Sequence, residues 1–308
     1  MKRKISILLA LLLAFCLTAC GDTQSGGKPS STSTSSQGKP DAEKPKPEEK
    51  GPEITFQELT VIDNEACAVK ITGIDPICDP DDMWGFTLKA NLENKSKDKT
   101  YMFAAQSAAV NGVQSDPLFA KEVAPGKKAI EDISFMDSAL QENEVGEFTD
   151  IELTIRVYDS NDWLAEETAL ETVHIYPYGE DKASTFTREP QPTDQVLVDN
   201  EYATAIVTGY TEDSIWGYTV NLFFINKSDK EVMFSVNDAS VNGYMADPFF
   251  AKAVMAGKCA FASMSWSDST LEENSIAEIE EIEFTLRIYD NNDWLAEAFA
   301  EENITLNP

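Results

Sequence analysis

The stretch IELTIRVYD, residues 151–159, carries the pattern that decides the fold. Apolar side chains stand at every odd-numbered position from Ile151 to Val157, and polar or aromatic side chains stand between them. The pattern returns as IEFTLRIYD at residues 282–290. A period of two residues predicts a β-strand with one face on a core and the other towards solvent. The chain therefore contains the same half-buried strand twice.

The repeat extends beyond this strand, because further motifs recur in the same order. The matching pairs are Asp63-Asn64-Glu65 with Asp199-Asn200-Glu201, Trp84-Gly85 with Trp216-Gly217, Asn94-Lys95-Ser96 with Asn226-Lys227-Ser228, Val110-Asn111-Gly112 with Val241-Asn242-Gly243, and Asp116-Pro117 with Asp247-Pro248. Each copy has about 110 to 125 residues, the usual size of one domain. We predict one domain over residues 54–176, a proline-containing linker over 177–193, and a second domain over 194–308.

Turn signals within each copy favour antiparallel hairpins. The Asn-Gly pairs at 111–112 and 242–243 suit type I′ turns. The Asp-x-Asn-Asp segments at 159–162 and 290–293 separate two strand patterns. We expect about seven strands in each copy and at most one short helix, near residues 138–144 and 269–275. The fold class predicted is all-β, two tandem immunoglobulin-like antiparallel β-sandwiches, without the Cys…Trp…Cys pattern of antibody domains.

These turn and core motifs resemble uncharacterised repeat domains in lipoproteins of Gram-positive bacteria. That group is similar in type to the immunoglobulin-like fold of mycobacterial immunoprotective antigens. The resemblance spans residues 56–306 and rests on the Trp-Gly, Asn-Lys-Ser and Val-Asn-Gly motifs. It implies a fold and brings no activity with it.

The N-terminal segment predicts export and a lipid anchor. Lys2, Arg3 and Lys4 precede an apolar run that is too short for a comfortable membrane span. Leu17-Thr18-Ala19-Cys20 resembles the lipobox of bacterial lipoproteins, in which the cysteine is acylated and becomes the first residue. We expect a signal peptide over 1–19, lipidation at Cys20, and a disordered tether over 20–53 rich in Gly, Ser, Pro and Lys. Ordinary secretion, with Cys20 as a bystander, is the alternative.

The anchor would place the protein on the extracytoplasmic face of the cell membrane. The formal net charge of −30 argues against a nucleic-acid partner, because phosphate contacts need stripes of Lys and Arg. Anionic lipid surfaces would repel the chain, which leaves the lipid as its hold on the membrane. The excess of acidic residues serves solubility. The alternatives are that these residues bind cations or attract basic partners.

Cysteine usage predicts one disulfide. Cys67 and Cys78 occur in the first copy, and the second copy lacks both of them. An exported protein permits a Cys67–Cys78 bond across a loop of about ten residues. Cys259 would remain a single thiol.

The sequence predicts no cofactor, and calcium is the one possibility that its turns offer. The Asp-x-Asn-Asp segments offer hard oxygen ligands at Asp159, Asn161, Asp162, Asp290, Asn292 and Asp293. The spacing lacks the Gly and Glu of an EF-hand loop, and Asp and Asn also favour hairpin turns for conformational reasons. A turn without an ion is therefore the competing interpretation.

Candidate binding residues lie on and beside the repeated strand. They are Arg156, Tyr158, Trp163, Arg287, Tyr289 and Trp294. Arg and aromatic side chains are enriched in protein interfaces and can stack on sugars. The alternatives are local ion pairs for the arginines and core positions at strand ends for the tryptophans.

The sequence predicts that the chain is not an enzyme. His174 is its single histidine, and no Gly-x-Ser-x-Gly nucleophile elbow accompanies it. We expect a non-catalytic cell-surface lipoprotein, a binding or scaffold module for an envelope protein or cell-wall component, with two similar units giving avidity. A calcium-dependent glycan-binding or adhesion module is the alternative, and an extracellular hydrolase is a third.

Overall fold

The structure, a computed structural model, describes residues 53–76, 85–136, 140, 143–162, 164 and 166–308, with Asp213 described by its backbone. Lys50–Pro308 forms one compact unit that holds both copies of the repeat.

The first copy forms nine strands within the described residues. They are β1 (Leu59–Asp63), β2 (Cys67–Asp75), β3 (Thr87–Asn94), β4 (Tyr101–Val110), β5 (Val113–Gln114), β6 (Ala120–Val123), β7 (Lys128–Ser134), β8 (Ile151–Asp159) and β9 (Ala169–Ile175). One sheet has the order β1-β2-β3-β7. The other has the order β5-β4-β8-β9, with β6 also paired to β4. All pairs within this copy are antiparallel.

The second copy repeats this plan strand for strand. Its strands are β10 (Gln195–Asp199), β11 (Ala203–Ser214), β12 (Gly217–Asn226), β13 (Val232–Val241), β14 (Tyr244–Met245), β15 (Lys252–Val254), β16 (Cys259–Trp266), β17 (Ile282–Asp290) and β18 (Ala300–Leu306). The sheets run β10-β11-β12-β16 and β14-β13-β17-β18, with β15 on β13. A short helix, α1 (Asp268–Glu273), begins after Ser267, whose side chain caps it. The counterpart helix expected near 138–144 lies largely outside the described residues.

The strand pairing is that of an immunoglobulin-type sandwich. If β2, β3, β4, β7, β8 and β9 are strands A, B, C, E, F and G, the pairs A–B, B–E, C–F and F–G all occur. β1 adds a strand outside A, and β6 pairs with C in place of a fourth strand on E. The predicted all-β sandwich fold is confirmed. Strands A, B, C, E, F and G together with β1 and the short strands β5 and β6 make nine, against the expected seven.

Each copy encloses its own core between its two sheets. The alternating strand behaves as predicted, since Ile151, Leu153, Ile155 and Val157 are all fully buried. In the second copy the largest fully buried side chain is Trp266, whose indole N–H donates to the Ala246 carbonyl at 2.8 Å. Apolar burial at roughly 25 cal/mol per Å² is the main stabilising contribution to both cores.

A buried asparagine fastens the end of each B strand. The Nδ2 of Asn226 donates to the carbonyls of Lys230, Val254 and Met255 at 2.7 to 3.0 Å, and its Oδ1 accepts from Ser228 N at 2.9 Å. Asn94 has the same role in the first copy. These amides satisfy carbonyls that the strands leave without partners.

The Asn-Gly turns have the predicted backbone. The φ angles are +52° at Asn111 and +84° at Gly112, and +50° at Asn242 and +78° at Gly243. Two successive positive φ angles define a type I′ turn, which suits the twist of the flanking strands. The buried Asn111 amide also donates to Glu147 O at 2.7 Å, so this turn is tied to the segment before β8.

The two copies meet through the edges of two strands. Cys259 at the start of β16 pairs in parallel with Val113 of β5, and its backbone N–H donates to Gly112 O at 3.1 Å. The segment predicted as a linker packs into this joint, since Phe186 contacts the rings of Phe223 and Phe261. One nine-stranded sheet therefore runs through both copies.

Candidate interaction surfaces

The Arg-Tyr pairs lie on the outer face of the repeated strand, as the alternation predicts. The guanidinium of Arg156 lies 4.5 Å from the ring centre of Tyr158, and that of Arg287 lies 4.6 Å from Tyr289. Arg156 also pairs with Glu167 at 3.2 Å. These arginines are three-quarters buried and have partners within their own domain. The alternative of local ion pairs therefore accounts for both arginines.

One predicted tryptophan joins this face in the second copy. Arg287 Nη2 donates to the Trp294 carbonyl at 3.1 Å, and the Trp294 side chain is exposed. The interpretation of Trp294 as a core residue is therefore wrong. Its predicted equivalent, Trp163, lies outside the described residues.

The Asp-x-Asn-Asp segments form hairpin turns whose first carboxylates already have partners. Asp290 Oδ1 accepts from Asn292 N at 3.0 Å, and its Oδ2 pairs with Lys230 at 2.7 Å. Asp159 accepts from Asn161 N at 3.1 Å and pairs with Lys99 at 3.4 Å. The pKa of Asp290 is held below its usual value by the Lys230 ammonium, and that of Asp159 chiefly by the Asn161 backbone N–H.

The last aspartates of these segments contribute their backbone to the turns. Asp162 and Asp293 close the turns through backbone N–H bonds to Asp159 O and Asp290 O. Within the described residues, no three His, Cys, Asp or Glu side chains are grouped to hold a metal ion. A lysine ammonium thus stands beside the first carboxylate of each turn, Asp159 and Asp290. This arrangement favours the turn over the ion site.

The predicted disulfide does not fit strand β2. Cys67 begins this strand, is fully buried, and is a free thiol. Its predicted partner Cys78 lies outside the described residues, but Asp75 ends β2 eight residues after Cys67. Eight residues at about 3.3 Å span roughly 26 Å. The three residues from Asp75 to Cys78 reach back at most about 11 Å, and a disulfide requires Cα atoms within about 7 Å.

The lipidation site Cys20 and the tether also lie outside the described residues. Within residues 53–308 as described, no helix is both long and apolar enough to cross a membrane.

His174 lies on β9 next to the carboxylates of Asp150 and Glu152. Its Nδ1 is 2.8 Å from Asp150 Oδ1, and its Nε2 is 3.5 Å from Glu152 Oε2. Glu152 also pairs at 2.5 Å with Lys258 of the second copy. The single histidine is thus part of a half-exposed charge cluster beside the joint.

Sequence reasoning missed an exposed apolar cluster at one end of the second copy. Ile215 and Trp216 form the turn between β11 and β12 and are 93% and 64% exposed. The Trp216 ring stacks near-parallel to Phe249, itself 84% exposed, with centroids 6.5 Å apart. The Trp216-Gly217 and Asp247-Pro248-Phe249 motifs identify these residues in the sequence, but strand-end tryptophans are more often core residues.

Local geometry holds this cluster at the surface, and acidic residues flank it. Gly217 has φ +86°, and a Cβ there would lie 2.2 Å from the Trp266 carbonyl, so only glycine permits this close turn. Phe249 is fixed by two backbone hydrogen bonds to Ser265. Glu212 and Asp247, both exposed, lie within four residues of the cluster in the chain.

The comparisons with known proteins assign no family. No family model matches the chain, and no curated protein matches it. Among solved structures, the chain is similar to red sea bream transglutaminase, with 10% identity and a TM-score of 0.24. The match covers 79% of this chain and 31% of the transglutaminase chain, so this chain spans about a third of that enzyme's length.

This match corrects the sequence-based exclusion of an enzyme. The prediction that the chain is not an enzyme is contradicted, because red sea bream transglutaminase, one of the solved structures similar to this chain, is an enzyme. A TM-score this low assigns no activity to the chain.

Proposed function

We propose that the chain is a cell-surface lipoprotein whose second sandwich binds a protein of the cell envelope. The observation that carries the proposal is the apolar cluster Ile215, Trp216 and Phe249, exposed in a chain of net charge −30. Exposed apolar side chains that touch one another mark interaction sites, whereas scattered ones are common on any surface. Tryptophan and aromatic neighbours supply most of the binding free energy in many interfaces.

The charges around the cluster indicate the chemistry of the partner. Glu212, Asp247 and Asp268 are exposed and close to the cluster in the chain or fold. A partner with an apolar centre and a basic rim complements this surface. The predicted lipid anchor and tether would hold the cluster clear of the membrane, within reach of such a partner.

Capture of envelope proteins by the purified chain tests the proposal. Bait consisting of residues 50–308 is crosslinked to solubilised envelope, and the captured proteins are identified by mass spectrometry. Trp216→Ala and Phe249→Ser are expected to abolish capture of the same basic protein. Val196→Ser is the matched control, because it removes an exposed apolar side chain of β10 in the same domain.

Two results would reject the proposal. One is equal capture by the wild type and both aromatic variants. The other is loss of capture in Val196→Ser, which would mean that the loss is not specific to the aromatic cluster. A further variant, Leu118→Ser, changes the residue equivalent to Phe249 in the first copy. A partial loss of capture in Leu118→Ser would support avidity, and no loss would confine binding to the second copy.

A further inference from the structure

The joint between the two copies is built from two different surfaces. The first copy contributes the outer edge of β5, and the second contributes the start of β16. The backbone bond from Cys259 N to Gly112 O is accompanied by a Lys258–Glu152 ion pair of 2.5 Å. Because the copies are homologous, each chain also carries one unused equivalent of each surface. Contacts of this head-to-tail kind can continue from one molecule to the next.

The unused equivalent of β5 is β14, in the second copy. Tyr244 and Met245 stand where Val113 and Gln114 stand in the first copy. Val113 is 1% exposed within the joint, whereas Tyr244 is 56% exposed. β14 ends its sheet, and no strand of the described residues pairs with its outer edge. This edge is therefore apolar, accessible and rich in unpaired backbone groups.

The unused equivalent of the start of β16 is the start of β7, in the first copy. Lys128 occupies the position of Cys259, and Ile130 occupies that of Phe261. Ile130 is 77% exposed and borders a groove of about 450 Å³ that Leu92 and Ala129 also line. At residues 128–133, one edge of β7 pairs with β3, and no strand of the described residues pairs with its other edge.

The ion pair of the joint has a counterpart on these two surfaces. Lys127 stands at the position of Lys258, and Glu283 stands at that of Glu152. Both side chains are exposed. Two chains joined as the two copies are joined would therefore bring a lysine of one to a glutamate of the other.

The two positions that Phe186 covers in the joint differ between the copies. Phe186 contacts Phe223 and Phe261 within the joint. In the first copy, Asn91 stands at the position of Phe223 and is exposed.

We propose that the chains associate head to tail, with β14 of one molecule docking on the start of β7 of a second copy. The contact repeats the geometry of the internal joint: edge pairing opposite Lys128, Tyr244 against Ile130, and Glu283 with Lys127. After each contact, one surface of each type remains free at the two ends, so further molecules can add and open chains form.

Sedimentation velocity of residues 50–308 at rising concentration and physiological salt tests the proposal. The wild type is expected to grow beyond dimers. Tyr244→Lys and Ile130→Lys are each expected to stay monomeric, since each loses one of the two surfaces. An equimolar mixture of the two variants should form a dimer and nothing larger, because each retains the surface that the other lacks. Val196→Lys, on β10, should behave like the wild type.

Charge reversal gives a second readout that does not depend on apolar contact. Lys127→Glu and Glu283→Lys should each weaken association, and the chain carrying both changes should recover it. Thermal melting of every variant establishes that the fold is intact. A wild type that stays monomeric, a mixture that stays monomeric, or a double reversal that fails to recover would each overturn the proposal.

Discussion

Replacing Asn226 by alanine is expected to destabilise the second sandwich far more than its small side chain suggests. Asn226 is 1% exposed and joins the end of β12 to the loops before β13 and after β15. Its Nδ2 donates to the carbonyls of Lys230, Val254 and Met255. Alanine leaves these three acceptors without their donor in a region that water reaches poorly.

The magnitude follows from the burial of each acceptor. The bond to Val254 O is fully buried, and an unsatisfied buried acceptor costs about 1 to 3 kcal/mol. The bonds to Lys230 O and Met255 O are part-buried, so water restores some of their loss and each contributes about 0.5 to 1 kcal/mol. The sum is about 3 kcal/mol. With an m-value of about 1.5 kcal/mol/M, the urea midpoint falls by about 2 M.

Urea unfolding followed by tryptophan emission measures this shift, because Trp266 is buried in the same core. Asn226→Asp should cost more than Asn226→Ala, because a carboxylate would replace a donor that faces three carbonyl oxygens. Asn221→Ala is the control: its amide bonds to Thr211 Oγ1 at an exposed site, and its loss should stay within about 0.5 kcal/mol. A shift below 1 kcal/mol for Asn226→Ala, or a milder effect of Asn226→Asp, would refute the reasoning.

Three further predictions concern the cysteine thiols, the two Asp-x-Asn-Asp turns and the Arg188–Asp194 ion pair. Thiol titration of unfolded, unreduced residues 50–308 should find three reactive thiols, because β2 separates Cys67 from the segment that holds Cys78; a single thiol would restore the disulfide. Millimolar calcium should leave the melting temperature unchanged, since a lysine pairs with the first carboxylate of each hairpin turn, and a rise in melting temperature would contradict this. The Arg188 guanidinium, 2.7 Å from both Asp194 oxygens, lowers the pKa of that carboxyl. The ion pair of Asp194 with Arg188 therefore stabilises the folded state fully above the unfolded-state pKa of about 3.9. This stabilisation is lost as the pH falls through the lower pKa of Asp194 in the folded state. Asp194→Asn should accordingly flatten the dependence of unfolding free energy on pH in the acid range, and an unchanged slope would contradict the assignment.

The sandwich fold could be predicted from the sequence because the patterns that indicate it are local. The alternation at 151–157 and the Asn-Gly turns depend on strand period and on φ angles, which neighbouring residues determine. The duplication then doubled each signal. The extra strands β5 and β6 were missed because two to four residues are too short to show a period.

The interaction surfaces could not be predicted in the same way, because exposure depends on how distant segments pack. Trp216 and Trp266 look alike as aromatic residues at strand ends, yet the first is exposed and the second buried. The joint was also hidden. The sequence indicates the joint only through changes from polar to apolar residues between equivalent positions, such as Asn91 and Phe223. These changes can be interpreted once the structure shows that Phe186 covers Phe223.

Photo-crosslinking at position 249 on intact cells tests the central claim most directly. A photoreactive phenylalanine derivative replaces Phe249 in the full chain, and the same group at position 196 is the control. An adduct with a basic envelope protein is expected from position 249, and none is expected from position 196. Adducts with no protein, or the same adduct from both positions, would contradict a binding site at Trp216 and Phe249.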